Sequence, residues 1–299
     1  MFSLKKFVTV GLTTLWMVGV LTDAHAEPVK GLIEVAADVY KYDPGDNYSS
    51  MFLVSDEGVI VVESANTIHA KGLLASIRSV TEKPVLYLLQ SHNHWDHTGG
   101  GQVFRDVGAK ILVHKEAYDW MKANPHHDMI LPNETWNGKR KDITVGNTTI
   151  EMHYVGMSHG LGMTVFRVAQ QKVAYIADIV TPERVLFSVV PDFNINEWKR
   201  ALTEIEALDF DKAVFSHSHS KSPFGSKADV VAQREFIEDL QTAIFTEFKK
   251  GTQFYKIAQA VKLPKYENWA MYDEWLAMNV WRMLTDISMG PFPWRPEPN

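Results

Sequence analysis

Residues 91–101 read SHNHWDHTGGG and come directly after the apolar run Val85 to Leu89. Three imidazoles and one carboxylate fall within six residues of this stretch: His92, His94, Asp96 and His97. An apolar run that ends in a short polar loop is typical of a strand leading into a site, and such a loop would direct several of these side chains into one small volume. Imidazole and carboxylate groups are ligands of divalent zinc. The stretch therefore predicts a metal site, and one loop could serve two ions.

Composition narrows the class of protein and the kind of ligand. The chain has 299 residues, of which 45% are hydrophobic, so one large domain with a sizeable core is expected. Its formal net charge of −6 gives no electrostatic reason to expect binding to nucleic acid or to an anionic membrane. The chain contains no cysteine, which excludes a disulfide scaffold and thiolate ligands. Any metal must be held by nitrogen and oxygen atoms.

The N-terminus has the pattern of an export signal. Lys5 and Lys6 precede an apolar stretch from Phe7 to about Leu21, and Ala24-His25-Ala26 then supplies small residues at the spacing of a cleavage site. We predict a signal peptide over residues 1–26, a periplasmic or secreted mature protein, and no stable membrane insertion after cleavage. A short membrane anchor is the alternative, although the stretch is short for a spanning helix of about 20 residues.

The pattern of apolar residues from Gly31 to Ser216 predicts an α/β fold. Strands are expected at Ile33 to Val39, at other short apolar runs, and at 213–216, while 128–142 is polar and rich in turns. Helical periodicity alternates with strands between residues 68 and 114, and strand-rich halves accompanied by helices would form a layered sandwich. Helices dominate from Ala228 onward. We therefore predict a domain over residues 27–227 and an α-helical C-terminal appendage over 228–299.

The motif His92-x-His94-x-Asp96-His97, with the threonine and glycines that follow it, resembles the signature of the metallo-β-lactamase superfamily. Three later positions are similar to the family's remaining marks. His159 lies between a strand and the next hairpin, Asp178 ends an apolar strand, and His217 follows the closing strand. The resemblance covers about residues 31–220 and does not extend to the C-terminal helices.

The resemblance implies an αββα sandwich and a binuclear metal centre. One ion would be held by His92, His94 and His159, and the second by Asp96, His97 and His217. Asp178 would bridge the two ions, which would be Zn²⁺, with iron or manganese as the alternative metals. A hydroxide shared by the ions would then attack an ester, lactone, thioester or amide carbonyl of a small-molecule substrate. Asp96 would be catalytic as well as a ligand, because it could orient this nucleophile.

The sequence leaves several questions of ligand and activity open. His219 competes with His217 for the last ligand position, and Glu63 is either a hydrogen-bond partner of a ligand or a solvated turn residue. β-Lactam hydrolysis is an alternative activity, although Asp178 and the absence of cysteine fit poorly with the true β-lactamase subclasses. A mononuclear iron sulfur-dioxygenase and an inactive, metal-free binding scaffold are two further candidates. The sequence predicts neither the substrate nor the oligomeric state.

Overall fold

Two β-sheets form the centre of the computed structural model, which describes residues 30–192 and 194–290. The first sheet has its strands in sequence order: β1 (Leu32–Ala36), β2 (Val39–Tyr42), β3 (Ser50–Val54), β4 (Val59–Val62), β5 (Val85–Leu89), β6 (Lys110–His114) and β7 (Glu134–Trp136). The second sheet has the reverse order: β12 (Lys212–Phe215), β11 (Val173–Ile176), β10 (Met163–Val168), β9 (Thr148–Gly156) and β8 (Arg140–Val145). The predicted signal peptide at 1–26 and the last nine residues lie outside the described residues.

Eight α-helices and two short 3-10 helices are present in the described ranges. The α-helices are α1 (Thr67–Val80), α2 (Trp95–Thr98), α3 (Gly101–Asp106), α4 (Lys115–Ala123), α5 (Ile195–Glu206), α6 (Lys227–Lys249), α7 (Ile257–Ala260) and α8 (Tyr272–Met289). The 3-10 helices are Phe254–Lys256 and Pro264–Tyr266. Among these helices, none has both the length and the apolar character needed to cross a membrane.

The first sheet changes from antiparallel to parallel pairing at β4. Strands β1 to β4 are antiparallel, whereas β4 to β7 are parallel and are connected by crossovers that contain α1 to α4. Parallel strands with helices on one face and a second sheet on the other are buried on both sides. β4 shows this directly, since Ile60 and Val62 pack between the sheets while Val59 and Val61 pack towards α1. Alternate side chains of one short strand thus join two layers.

The second sheet completes the sandwich. Tyr175 of β11 faces the first sheet, whereas Ala174 and Ile176 face the helical layer that contains Trp198 of α5. Strands β8 to β11 are antiparallel, and β12 pairs with β11 in parallel. The order of layers is helix, sheet, sheet, helix. The predicted α/β class and the αββα sandwich with additional C-terminal helices are confirmed.

The C-terminal helices pack on the outer face of the second sheet. Leu240 of α6 and Met283 of α8 are completely buried in the same apolar cluster as Trp198 and Val165. A capping box formed by Ser226 and Asp229 begins α6 at Lys227, within two residues of the predicted boundary. These helices therefore share a core with the sandwich. The domain limits 27–227 and 228–299 themselves remain a prediction.

Candidate metal centre

The motif of the opening stretch forms a loop and a single helical turn at the carboxyl end of β5. His94 is the N-terminal cap residue of α2, and its carbonyl accepts hydrogen bonds from the backbone of His97 at 3.1 Å and from the Thr98 hydroxyl at 2.9 Å. Asp96 and His97 are consecutive residues of this turn, so their side chains diverge by about 100° around the axis. The turn explains why neighbouring residues serve different parts of the centre.

The second sheet contributes the three remaining predicted residues. His159 follows β9, Asp178 comes two residues after the end of β11, and His217 comes two residues after the end of β12. The parallel strands β11 and β12 end at the same edge, so Asp178 and His217 arrive side by side. The structure therefore brings together all seven predicted residues, although they come from four separate segments of the chain.

The seven residues form two groups, each with its candidate ligand atoms within 4.8 Å of one another. The first group is His92, His94, His159 and Asp178, and the second is Asp96, His97 and His217. Asp178 lies between the groups: its Oδ2 is 3.2 Å from His159 Nε2, while its Oδ1 is 3.2 Å from His97 Nε2 and 3.3 Å from His217 Nε2. His219 lies in the wall of the adjoining cavity and in neither group. This geometry favours His217 over His219 as a ligand.

The donor atoms fit a bound cation. The Nε2 atoms of His92, His97 and His159 are buried and make no hydrogen bond of acceptable geometry with the described residues, although two of them lie close to Asp178. A buried polar atom without a partner costs about 1–3 kcal/mol, so three at one point require an explanation. Nitrogen and carboxylate donors without thiolate suit divalent metals such as zinc. These residues could hold a metal ion, and two groups offer two positions.

The protonation of the centre is set by burial and by close opposite charges. Burial and the neighbouring imidazoles of His94 and His97 hold the pKa of His92 well below its ordinary value. Burial alone would raise the pKa of Asp178, but His97 and His217 outweigh it and hold this pKa well below the ordinary range. Burial opposes protonation of His97, yet the carboxylates of Asp178 and Asp96 raise its pKa well above the ordinary value. A proton and a metal would therefore compete for His97.

Glu63 is a buried hydrogen-bond partner of a predicted ligand and not a solvated turn residue. Its Oε2 is 3.1 Å from Nδ1 of His97, and its Oε1 accepts a hydrogen bond of 2.7 Å from the backbone of Ser91. Glu63 has a φ of 69°, in the left-handed region that costs a residue other than glycine about 1–3 kcal/mol. This conformation turns the carboxylate from the end of β4 towards the motif loop.

We expect Glu63→Gln to weaken metal binding by about 10–100-fold, because such partners fix the orientation and basicity of a ligand imidazole. The amide oxygen can still accept the hydrogen bond from Ser91, so the fold should be retained. Competition with a chromophoric chelator measures the affinity, and Glu57→Gln, in an exposed turn, is the control. Equal affinity in both variants would show that the Glu63 charge does not act on His97.

Two further contacts to the predicted ligands come from residues outside the motif. Asp192 lies in the loop before α5, and its Oδ2 is 2.7 Å from His94 Nε2. The neighbouring imidazoles outweigh the effect of burial and lower the pKa of this carboxyl. Tyr48 donates a hydrogen bond of 3.2 Å to Asp96, and burial together with Asp96 raises its pKa to about 12. Asp192 was not predicted. It is 98 residues from its partner and follows no strand, so the sequence pattern gave no signal for it.

A cavity of about 470 Å³ opens over the two groups. Tyr48, Asp96 and Asp178 contribute polar groups to its wall, while Phe187 and Trp275 contribute aromatic rings. This volume lies within the usual range for small-molecule sites. The arrangement can bring a small molecule with an apolar part against the candidate metal ligands.

Comparison with known proteins adds independent findings. A family model for the metallo-beta-lactamase superfamily matches residues 43–217. The chain is 26% identical over 196 residues to 2,4-dinitroanisole O-demethylase subunit alpha from Nocardioides sp. (strain JS1661), covering 64% of this chain and 56% of the relative. It is 23% identical over 167 residues to the beta subunit from the same strain, covering 54% and 51%. The matches thus span about half the length of these relatives.

Solved structures share the fold at low sequence identity. A metallo-beta-lactamase from Pontibacter korlensis superimposes with a TM-score of 0.60 and 16% identity, over 69% of this chain and 98% of the other. The stereoselective inverting sec-alkylsulfatase Pisa1 from Pseudomonas sp. gives a TM-score of 0.70 and 16% identity, over 87% of this chain and 50% of the other. The second match extends over more of this chain than the family model does.

Proposed function

The chain belongs to the metallo-beta-lactamase superfamily, and we propose that it is an exported, binuclear zinc hydrolase that acts on a carbonyl group of a small molecule. The substrate bond would be an ester, lactone, thioester or amide. One observation carries the proposal: Asp178 presents one carboxylate oxygen to His159 of the first group and the other to His97 and His217 of the second. A carboxylate shared by two sets of imidazoles is the arrangement that a two-metal site needs.

The protein's own residues would have distinct tasks. His92, His94 and His159 would hold one ion, Asp96, His97 and His217 the other, and Asp178 both. Zinc ions in these positions would supply Lewis acidity and lower the pKa of a bound water, so that hydroxide is available near neutral pH. The catalytic residue would be Asp96, whose carboxylate is half exposed to the cavity and would orient the attacking water. Tyr48 would keep that carboxylate in place through its hydrogen bond.

Export rests on the pattern of residues 1–26, which predicts cleavage and a periplasmic or secreted enzyme. The candidate centre supports this location in one respect only, because its ligands are imidazoles and carboxylates that an oxidising compartment does not modify as it would thiols. N-terminal sequencing of the protein exported by its native host tests the proposal. We expect Glu27, and an intact N-terminus in the cell-associated fraction would contradict export.

We expect the purified protein to contain two zinc ions per chain and to lose activity when a chelator removes them. Occupied sites stabilise the folded state, and a ligand at 1,000 times its Kd contributes about 4 kcal/mol. The apoprotein should therefore unfold at a lower temperature, and added zinc should restore both properties. Metal analysis, thermal unfolding and turnover of lactones, thioesters, activated esters and β-lactams measure this. One iron per chain without zinc, or no metal and no turnover, would overturn the proposal.

The names of two relatives favour a second candidate, the removal of a methyl group from an aryl ether. Both are described as subunits of a 2,4-dinitroanisole O-demethylase, and the aromatic side chains of Phe187 and Trp275 could receive an aryl substrate. The two candidates differ in their products. Incubation with 2,4-dinitroanisole would release methanol and a nitrophenolate if this candidate is right, whereas a carbonyl hydrolase would leave the ether unchanged and cleave aryl esters.

A further inference from the structure

Arg184 is a cation in the wall of the cavity that the candidate metal ligands also line, and its charge interacts with that of Asp178. Its guanidinium lies over two aromatic rings, 5.6 Å from the centre of Phe187 and 5.6 Å from that of Trp275. Phe187 is 54% exposed, so one of these rings remains available for contact. Trp275 belongs to α8 and Phe187 to the loop between β11 and α5. The cation and the two rings form a surface that we call the Arg184 subsite.

The backbone beneath the Arg184 subsite is fixed. The backbone amide of Ala270 donates a hydrogen bond of 2.8 Å to the carbonyl of Glu183, and the amide of Val185 donates one of 3.3 Å to the carbonyl of Ala270. These bonds attach the loop to the C-terminal helical segment on either side of Arg184. A side chain on such a support is held in place before any ligand arrives, which lowers the entropy lost on binding.

The guanidinium is incompletely satisfied. It donates one hydrogen bond of 3.2 Å to the Thr181 hydroxyl, and its buried Nε has no hydrogen-bond partner. It forms no ion pair with a carboxylate of the described ranges, and Asp178 acts on it only through a longer-range interaction of charges. Arg140, Arg167 and Arg234, by contrast, each pair with a glutamate at 2.6–2.9 Å. A half-buried guanidinium remains charged, and its free donors cost energy until an acceptor reaches them. Arg184 is thus a cation with donors available for an anion.

We propose that the Arg184 subsite selects substrates that carry a carboxylate on an apolar or aromatic part, remote from the bond to be cleaved. The substrate carboxylate would accept two parallel hydrogen bonds from the guanidinium, an arrangement that suits arginine. The apolar part would pack on Phe187 and Trp275. The inference rests on the proposed hydrolytic function for the bond that is cleaved, and it adds the class of substrate, an acidic ester or amide.

A matched pair of esters tests the Arg184 subsite. Mono-(4-nitrophenyl) glutarate has a free carboxylate, and in its methyl ester a neutral ester group takes the place of that charge. Hydrogen bonds between charged groups are worth about 1.5–3 kcal/mol, so Arg184→Gln should lower kcat/KM for the acidic ester by about 10–100-fold, mainly through KM. The neutral ester should change by less than about threefold, and Arg184→Lys should be intermediate, because lysine keeps the charge without the planar fork. Arg140→Gln, on the exposed edge of β8, is the control.

The affinity for ligands that the enzyme does not cleave tests the Arg184 subsite independently of the proposed hydrolase activity. Calorimetry on the zinc-loaded protein compares 4-phenylbutyrate with 4-phenylbutanamide, which have the same apolar part. We expect the acid to bind more tightly, and we expect Arg184→Gln to remove the difference while thermal unfolding shows a folded variant. If wild type cleaves neither ester yet retains this preference, the carbonyl hydrolase proposal fails and the subsite stands. Equal losses for acidic and neutral ligands in Arg184→Gln and Arg184→Lys would overturn the subsite and show that Arg184 only clamps the loop to α8.

Discussion

The Asp96→Ala variant is expected to lose hydrolytic activity by on the order of 10³-fold in kcat/KM, which corresponds to about 4 kcal/mol of barrier. The proposed role of Asp96 is double, since the carboxylate would hold the second ion with His97 and His217 and would orient the attacking water. Alanine removes both contributions. The side chain is 50% exposed and faces the cavity, so its removal leaves no void in the core.

Folding should therefore survive the loss of Asp96. Its side chain accepts one hydrogen bond, from Tyr48, and this hydroxyl can turn to water in the open cavity once the carboxylate is gone. Without metal, we expect the variant to unfold at a temperature close to that of the wild-type apoprotein. After loading with zinc, we expect its metal content to be reduced at one of the two positions. Asp119→Ala is the matched control, because Asp119 is an exposed aspartate paired with Lys115 on the surface of α4. Turnover near the wild-type rate in Asp96→Ala would exclude the two-metal mechanism.

Asp96→Asn refines the interpretation. The amide has the shape of the carboxylate and can still accept the Tyr48 hydrogen bond, but it is a poor ligand and cannot take a proton at neutral pH. If charge is what matters, Asp96→Asn should lose nearly as much activity as the alanine variant. A loss of less than about tenfold would assign Asp96 to positioning of Tyr48 instead.

The sequence alone predicted those candidate ligands that lie close together along the chain, and it did not predict the isolated ones. His92, His94, Asp96 and His97 were visible because four ligand-type residues follow one strand. His159, Asp178 and His217 each stand alone in sequence, and only the family resemblance connected them. Asp192 and Arg184 lie between β11 and α5, where the chain has neither strand nor helix periodicity. No local pattern could place these two side chains in the cavity.

Glu63 illustrates a different limit. Its residue type allowed both a buried partner and a solvated turn, and the choice depends on a left-handed backbone at residue 63 that glutamate rarely adopts. In the fold, the predicted strand Ile33 to Val39 is two strands, because Asp38 takes a φ of 61° and closes a tight hairpin. Strand β7 was missed in the polar segment 128–142, since three residues are too few to show alternation.

Trp198→Ala is expected to have the largest effect on stability, about 3–5 kcal/mol of unfolding free energy. Trp198 of α5 is 2% exposed and is the largest side chain of the core between the second sheet and the C-terminal helices. Its indole Nε1 donates a hydrogen bond of 2.9 Å to the carbonyl of Ile179, which follows Asp178. Alanine would leave a large cavity and a buried carbonyl without this donor. Urea unfolding of the zinc-free protein measures the loss.

The same residue connects the core to the candidate metal centre. The ring of Trp198 meets His159 edge to face, with 5.3 Å between ring centres and 75° between planes, and its hydrogen bond anchors the segment that carries Asp178. Trp198→Ala should therefore also weaken binding at the first metal position, measured by chelator competition at a temperature where the variant is folded. Trp281→Ala, 38% exposed on α8, should cost less than about 1 kcal/mol and leave metal affinity unchanged.

Trp198→Phe separates the loss of stability from the loss of metal affinity, and we expect it to fold even if the alanine variant does not. Phenylalanine retains an aromatic wall for His159 but cannot donate to Ile179, so its cost should be near that of one unsatisfied buried carbonyl, about 1–3 kcal/mol. If the wall orients His159, metal affinity in Trp198→Phe should stay close to wild type. If the hydrogen bond to Ile179 positions Asp178, affinity should fall in Trp198→Phe as well. Wild-type affinity in both variants would mean that the loops between β9 and β10 and after β11 hold these two ligands without α5.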